Sequence, residues 1–156
     1  VKVIFLDIDG VCNNWNTIAA KSFLEPKLVD KVWEIAERTN AKIVISSAWR
    51  SFRSIDNLRH LFSQSGVDTN LIIDKTPDYG GKFKFRWVEI AAWLKEHNKK
   101  VDAFVILDDI EDFDILAPHH VCCSMRYGLT RRGVEKAVKI LNSGWMVELE
   151  KKEDVA

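Results

Sequence analysis

The chain has 156 residues, 47% hydrophobic and 29% charged, the balance of one globular domain that can bury its own core. Lys plus Arg equals Asp plus Glu at 23 each, which excludes a global basic field for holding nucleic acid non-specifically but permits a local basic patch. Cys12, Cys122 and Cys123 are odd in number and lack zinc spacing, so they read as reduced thiols of a cytoplasmic protein. No stretch approaches the ~18 apolar residues of a membrane span, and Val1 to Leu6 is too short for a signal peptide.

Val3-Ile4-Phe5-Leu6 is a short apolar run, expected as a buried strand. Pro26 suits a first helical turn, and Leu28, Val32, Trp33, Ile35 and Ala36 follow at helical spacing. Ile43-Val44-Ile45 predicts a second strand, Ile55, Leu58, Leu61 and Phe62 a helix, and Leu71-Ile72-Ile73 a third strand. Trp87, Ile90, Ala91 and Leu94 stand at i, i+3, i+4 and i+7 of a further helix. Phe104 to Leu107 and Val121 to Ser124 read as the last strands, and Thr130 as the cap of a helix with inner face Val134, Ala137, Val138 and Leu141. Continuous apolar strands alternating with helices predict an α/β, Rossmann-like, mainly parallel five-stranded sheet with helices on both faces. The domain is expected over 1–147, with a charged tail at 148–156 that frays.

Right-handed crossovers put the C-terminal ends of all the strands on one edge. Asp7-Ile8-Asp9-Gly10 follows the first strand, Ser46, Ser47 and Arg50 the second, and Asp108 and Asp109 the fourth. Four carboxylates converging from distant segments are costly unless a cation holds them ionised. Oxygen ligands without clustered His or Cys point to magnesium rather than zinc.

Phe5-Leu6-Asp7-Ile8-Asp9-Gly10-Val11 resembles the first motif of the haloacid dehalogenase (HAD) superfamily. Ile43 to Ser46 resembles its second motif, and Leu107-Asp108-Asp109 its acidic fourth. Ile45-Ser46-Ser47-Ala48-Trp49-Arg50, Glu89-Ile90-Ala91-Ala92-Trp93-Leu94 and Gly128-Leu129-Thr130 are similar to the HAD domain of "Swiss army knife" RNA-repair proteins. That subfamily typically has Arg-Gly before the Glu-Ile; here Arg86 is followed by Trp87.

The resemblance implies a phosphatase with Asp7 as nucleophile, forming an aspartyl-phosphate, and Asp9 as general acid and base. It implies Ser46 as a donor to a phosphoryl oxygen, and a third-motif cation for which Lys82, Lys84 and Arg86 are the candidates; Lys82 by itself reads as a surface lysine, which leaves Lys84 and Arg86. It implies Mg2+ held by Asp7, the Asp9 carbonyl and the Asp108/Asp109 pair, with Asp109 favoured as the direct ligand. Asn13, Trp15, Ser47 and Arg50 are the candidate substrate-binding residues; local bonding remains open for Ser47, a solvated helix charge for Arg50, and a turn cap for Asp9. Trp15 lies in the polar run Asn13-Asn14-Trp15-Asn16-Thr17, expected to form a flap over the site. His119 and His120 read as structural or surface groups.

Neither the Asp9–Ile43 nor the Arg50–Lys84 interval holds a folded cap domain. An open site favours a phosphate on a large molecule. Arg50, Arg53, Lys82, Lys84, Arg86, Arg126, Arg131 and Arg132 fall near the active edge as a candidate basic funnel. The repair-protein likeness, with a further likeness to the phosphatase half of polynucleotide kinase-phosphatases, implies an RNA or DNA phosphate end as substrate. A nucleotidase acting on free nucleoside monophosphates is one alternative, and a non-catalytic module that binds phosphorylated ends is another.

Overall fold

The computed structural model describes residues 1–80 and 85–149. Lys82, Lys84 and the tail from residue 150 lie outside the described residues. The strands are β1 (Lys2–Leu6), β2 (Ala41–Ile45), β3 (Ile72–Lys75), β4 (Ala103–Asp108) and β5 (His120–Cys122). They form one all-parallel sheet in the order β3-β2-β1-β4-β5. The helices are α1 (Trp15–Ala19), α2 (Pro26–Thr39), α3 (Ile55–Ser63), α4 (Arg86–His97) and α5 (Arg131–Leu141).

Period-two alternation in the strands builds two cores. Ile4, Leu6, Ile43, Ile45, Val105 and Leu107 face one side, where they pack with α2, α3 and α5. Val3, Phe5, Val44, Phe104 and Ile106 face the other, against α4, Phe113 and Leu116. Trp145, Val147 and Leu149 pack on this second layer. The expected α/β sheet covered on both faces is what forms, and no cap domain occurs among the described residues.

Two elements differ from expectation. Leu71 sits in a 3-10 turn, Thr69–Leu71, and β3 runs on to the polar Asp74 and Lys75. A register shift between Ile43 and Val44 accompanies this edge pairing. The polar run after β1 forms the short helix α1, nucleated by a reciprocal capping box between Asn14 and Thr17. Thr130 caps α5 as expected, accepting from the Gly133 amide at 3.0 Å.

Register then places the chemistry. Leu6 is level with Ile45 on one side and Leu107 on the other. Each strand's next residue is polar: Asp7, Ser46 and Asp108 stand in a row, adjacent strands being about 4.8 Å apart. Hydrogen bonds from the Asp7 amide to the Leu107 carbonyl and from the Ser46 amide to the Leu6 carbonyl, both 3.0 Å, carry the pairing one step past the strands.

Candidate active site

Carboxylate oxygens of Asp7, Asp108 and Asp109 lie within 4.8 Å of one another, the first two buried and the third half-buried. Arg86 is the first residue of α4, where a cation opposes the helix dipole. Carboxylates offset that penalty: its guanidinium lies 2.7 Å from Asp108 and 3.2 Å from Asp7. Burial lowers the basicity of Arg86, but the charges of Asp7 and Asp108 outweigh it and hold the group above its ordinary value.

Burial first, and then the charge of Asp108, push the Asp7 carboxyl up to about 8, with Arg86 opposing and Asp109 adding to the rise. Burial likewise raises Asp108, again against Arg86. One guanidinium is therefore too little positive charge to keep Asp7 ionised near neutral pH. The donor set fits a hard divalent cation: oxygen atoms only, with no His or Cys in the cluster. The Asp108 oxygens are engaged by Arg86 and by the Ile110 amide at 2.9 Å. Asp109 instead lies beside Gly10, where φ is +80° and an added Cβ would come within 2.7 Å of the Asp109 carboxylate.

The hydroxyl of Ser46 is fully buried at the end of β2 and has no hydrogen-bond partner among the described residues. Such an orphan is expensive unless a ligand engages it. Asp9 is outside the carboxylate cluster. One of its oxygens accepts from the Asn13 amide at 2.8 Å, the other from the Trp49 indole N–H at 2.9 Å. The Asp9 carbonyl accepts no hydrogen bond among the described residues.

Three of the four expected substrate-binding residues have other work. Arg50 is buried, and its donors go to the carbonyls of Ser46, Ser47, Thr76 and Pro77 at 2.8–3.1 Å and to Glu89 at 2.7 Å. The second Glu89 oxygen accepts from the Tyr79 amide. This pair clamps the turns after β2 and β3 to α4, one helical turn from Arg86, so Arg50 is not a solvated helix charge and its guanidinium donors are already engaged. Ser47 caps the 3-10 turn Ala48–Phe52, accepting from the Trp49 amide. Asn13 is buried and spans Gly10, Asp9 and the Phe23 carbonyl at 2.8–3.0 Å, a positioning group with no free donor. Trp15 is exposed, its amide donating to the Met125 carbonyl.

Among the described residues, which exclude Lys82 and Lys84, the basic funnel is thinner than expected. Arg50 is buried, and Arg131 is bound to Glu34 within an exposed network of Arg38 and Glu135. Arg53, Arg126 and Arg132 remain at the surface, the first two each over an aromatic ring, Trp49 at 4.8 Å and Tyr127 at 5.2 Å. His119 and His120 are structural: burial lowers both, and their ring nitrogens bond the Phe104 and Asp108 carbonyls.

Glu89 and Trp49 were not singled out from sequence. The signal for Glu89 was a carboxylate on the apolar face of a helix, beside Ile90, which demands a buried partner. A cavity of about 560 Å³ behind the Arg50 clamp, lined by Thr76, Asp78 and Trp93, contains none of the acidic cluster.

Nothing matches among curated proteins or among solved structures. The family described as "HAD domain in Swiss Army Knife RNA repair proteins" matches residues 3–134, a span that runs from β1 into α5 and includes Asp7, Asp9, Ser46, Arg86, Asp108 and Asp109. The chain belongs to this HAD family, whose members are phosphatase-type hydrolases.

Proposed function

We propose that this protein is a magnesium-dependent phosphomonoesterase that works through an aspartyl-phosphate on Asp7 and removes a terminal phosphate from a polynucleotide. The observation that carries the chemistry is the cluster of Asp7, Asp108 and Asp109 within 4.8 Å, bridged by Arg86 and flanked by a separately held Asp9.

Asp7 attacks phosphorus, and the bond to the leaving oxygen breaks as Asp9 delivers a proton to it. Asp9 then takes a proton from the water that attacks the aspartyl-phosphate, which frees phosphate and restores Asp7. The two donors on Asp9 fix the carboxylate while leaving each oxygen a lone pair for the shuttled proton. Arg86 balances charge on Asp7 and on the phosphoryl group, and the orphan Ser46 hydroxyl donates to a phosphoryl oxygen. Asp7, Asp109 and the Asp9 carbonyl, together with Asp108, would hold magnesium, which when bound would supply the positive charge that keeps Asp7 ionised. Asp109 suits direct ligation better than Asp108, whose oxygens are already engaged.

For the substrate, support comes from the repair-protein family, the absence of a cap domain among the described residues, and the exposed cations Arg53 and Arg126. The test is phosphate release with Mg2+ from 3′-phosphorylated and 5′-phosphorylated oligonucleotides and from free nucleoside monophosphates, with Asp7→Asn as control. Preference for an oligonucleotide end is expected. Preference for free nucleotides would make this a nucleotidase, and silence of the wild type on every phosphoester would leave a binding module.

A further inference from the structure

We infer that Phe23, backed by Trp49, is a ledge on which the base of the phosphate-bearing nucleotide stacks. The inference rests on the end-processing reading above for its substrate class.

Whatever leaves with the ester oxygen must begin beside Asp9, because Asp9 protonates that oxygen. Asp9 is joined to Trp49 by the 2.9 Å indole hydrogen bond. Phe23 meets Trp49 edge to face, with ring centroids 5.7 Å apart and planes at 81°. Trp49 also carries the Arg53 guanidinium at 4.8 Å. Phe23 is 67% exposed, so it has a ring face open to solvent.

A single exposed phenylalanine is ordinary on protein surfaces. This one is tied to the general acid by two independent routes. Trp49 links them through side chains, and Asn13 links the Phe23 carbonyl at 3.0 Å to the Asp9 carboxylate at 2.8 Å. The ledge is therefore preorganised relative to the reacting atoms, as a specificity element needs to be. A flat π-system with a polyanionic backbone matches it: the base stacks, and Arg53 meets the chain phosphates. Aliphatic phosphoesters gain nothing there.

The experiment measures kcat/KM for an oligonucleotide phosphorylated at the preferred end and for the same strand with an abasic terminal sugar. The wild type should favour the base-bearing strand by about 5- to 150-fold, the range of one base–aromatic stack. Phe23→Ala should bring that ratio close to one, and Phe23→Tyr should keep it. Taking the ratio within each variant removes any difference in folded fraction. If the wild type cleaves neither strand, the polynucleotide reading fails, and the ledge is judged on nucleoside monophosphate against ribose phosphate. A preference there that Phe23→Ala abolishes upholds the ledge for a free nucleotide. A wild-type ratio near one in both pairs, no turnover of either pair, or a ratio that Phe23→Ala leaves intact overturns the inference.

Discussion

Replacing Asp7 with Asn should stabilise the metal-free protein, and more so as pH rises. Asp7 has an ordinary value of 3.8 and is raised to about 8, chiefly by burial. A carboxyl whose folded value exceeds its unfolded one gives stability that is complete below about 4 and is lost as pH climbs toward 8. Over that window the folded chain holds a proton that the unfolded chain has released, so each pH unit costs up to about 1.4 kcal/mol. The ceiling across the window is on the order of 5 kcal/mol, shared with Asp108, with which Asp7 titrates as a pair. A domain of this size loses about 3 °C of Tm per kcal/mol. Thermal unfolding in a chelator from pH 5 to pH 8 should therefore show the wild type losing several degrees relative to Asp7→Asn. The difference between the two cancels the opposite drift from His119 and His120, which are held neutral by burial and destabilise below about 6.5. Adding Mg2+ to about 100 times its dissociation constant should return about 2.7 kcal/mol to the wild type and less to the variant. A Tm difference that stays constant across the pH range would refute the burial of charge at this site.

Three further substitutions separate structural from chemical roles. Ser46→Ala should hold or raise Tm of the ligand-free protein, because it removes a buried hydroxyl that has no partner among the described residues, while lowering kcat by about tenfold for one lost phosphoryl hydrogen bond of about 1.4 kcal/mol; a clear drop in Tm would mean that the hydroxyl is structural. Glu89→Gln breaks a buried ion pair and should cost about 3–5 kcal/mol in chemical denaturation, with Arg50→Gln costing a similar amount and the double variant less than the sum. Gly10→Ala forces a Cβ against Asp109 at positive φ; a loss of about 1–2 kcal/mol from strain, together with weaker Mg2+ binding by calorimetry, is expected, and normal Mg2+ affinity would argue against Asp109 as a ligand.

Much of the fold is legible because buried parallel strands announce themselves. The runs ending at Leu6, Ile45 and Leu107 lie on both cores, so nearly every residue in them is apolar. The edge strand β3 is less legible: Asp74 and Lys75 belong to it, and hydrophobicity marks only its start. Helix α1 is too short and too polar for periodicity, and its signature is the Asn14–Thr17 capping box. At the site, Asp7, Ser46 and Asp108 follow from strand ends and register. Arg50 does not: whether a guanidinium faces substrate or pins carbonyls depends on Glu89 and Pro77, which are distant in sequence. Trp49 is a similar case, since its partner is the Asp9 carboxylate on another segment, while Asn13 bonds Asp9 within its own turn and the distant Phe23 carbonyl.

The central claim is that Asp7 becomes phosphorylated. A single turnover with Mg2+ and a phosphorylated oligonucleotide, quenched in acid and reduced with borohydride, converts an aspartyl-phosphate into homoserine. Peptide mass spectrometry should find homoserine at position 7 in the wild type and not in Asp7→Asn. Homoserine at position 9, 108 or 109, or steady phosphate release with no modified carboxylate in a quench fast enough to trap one turnover, would contradict the mechanism.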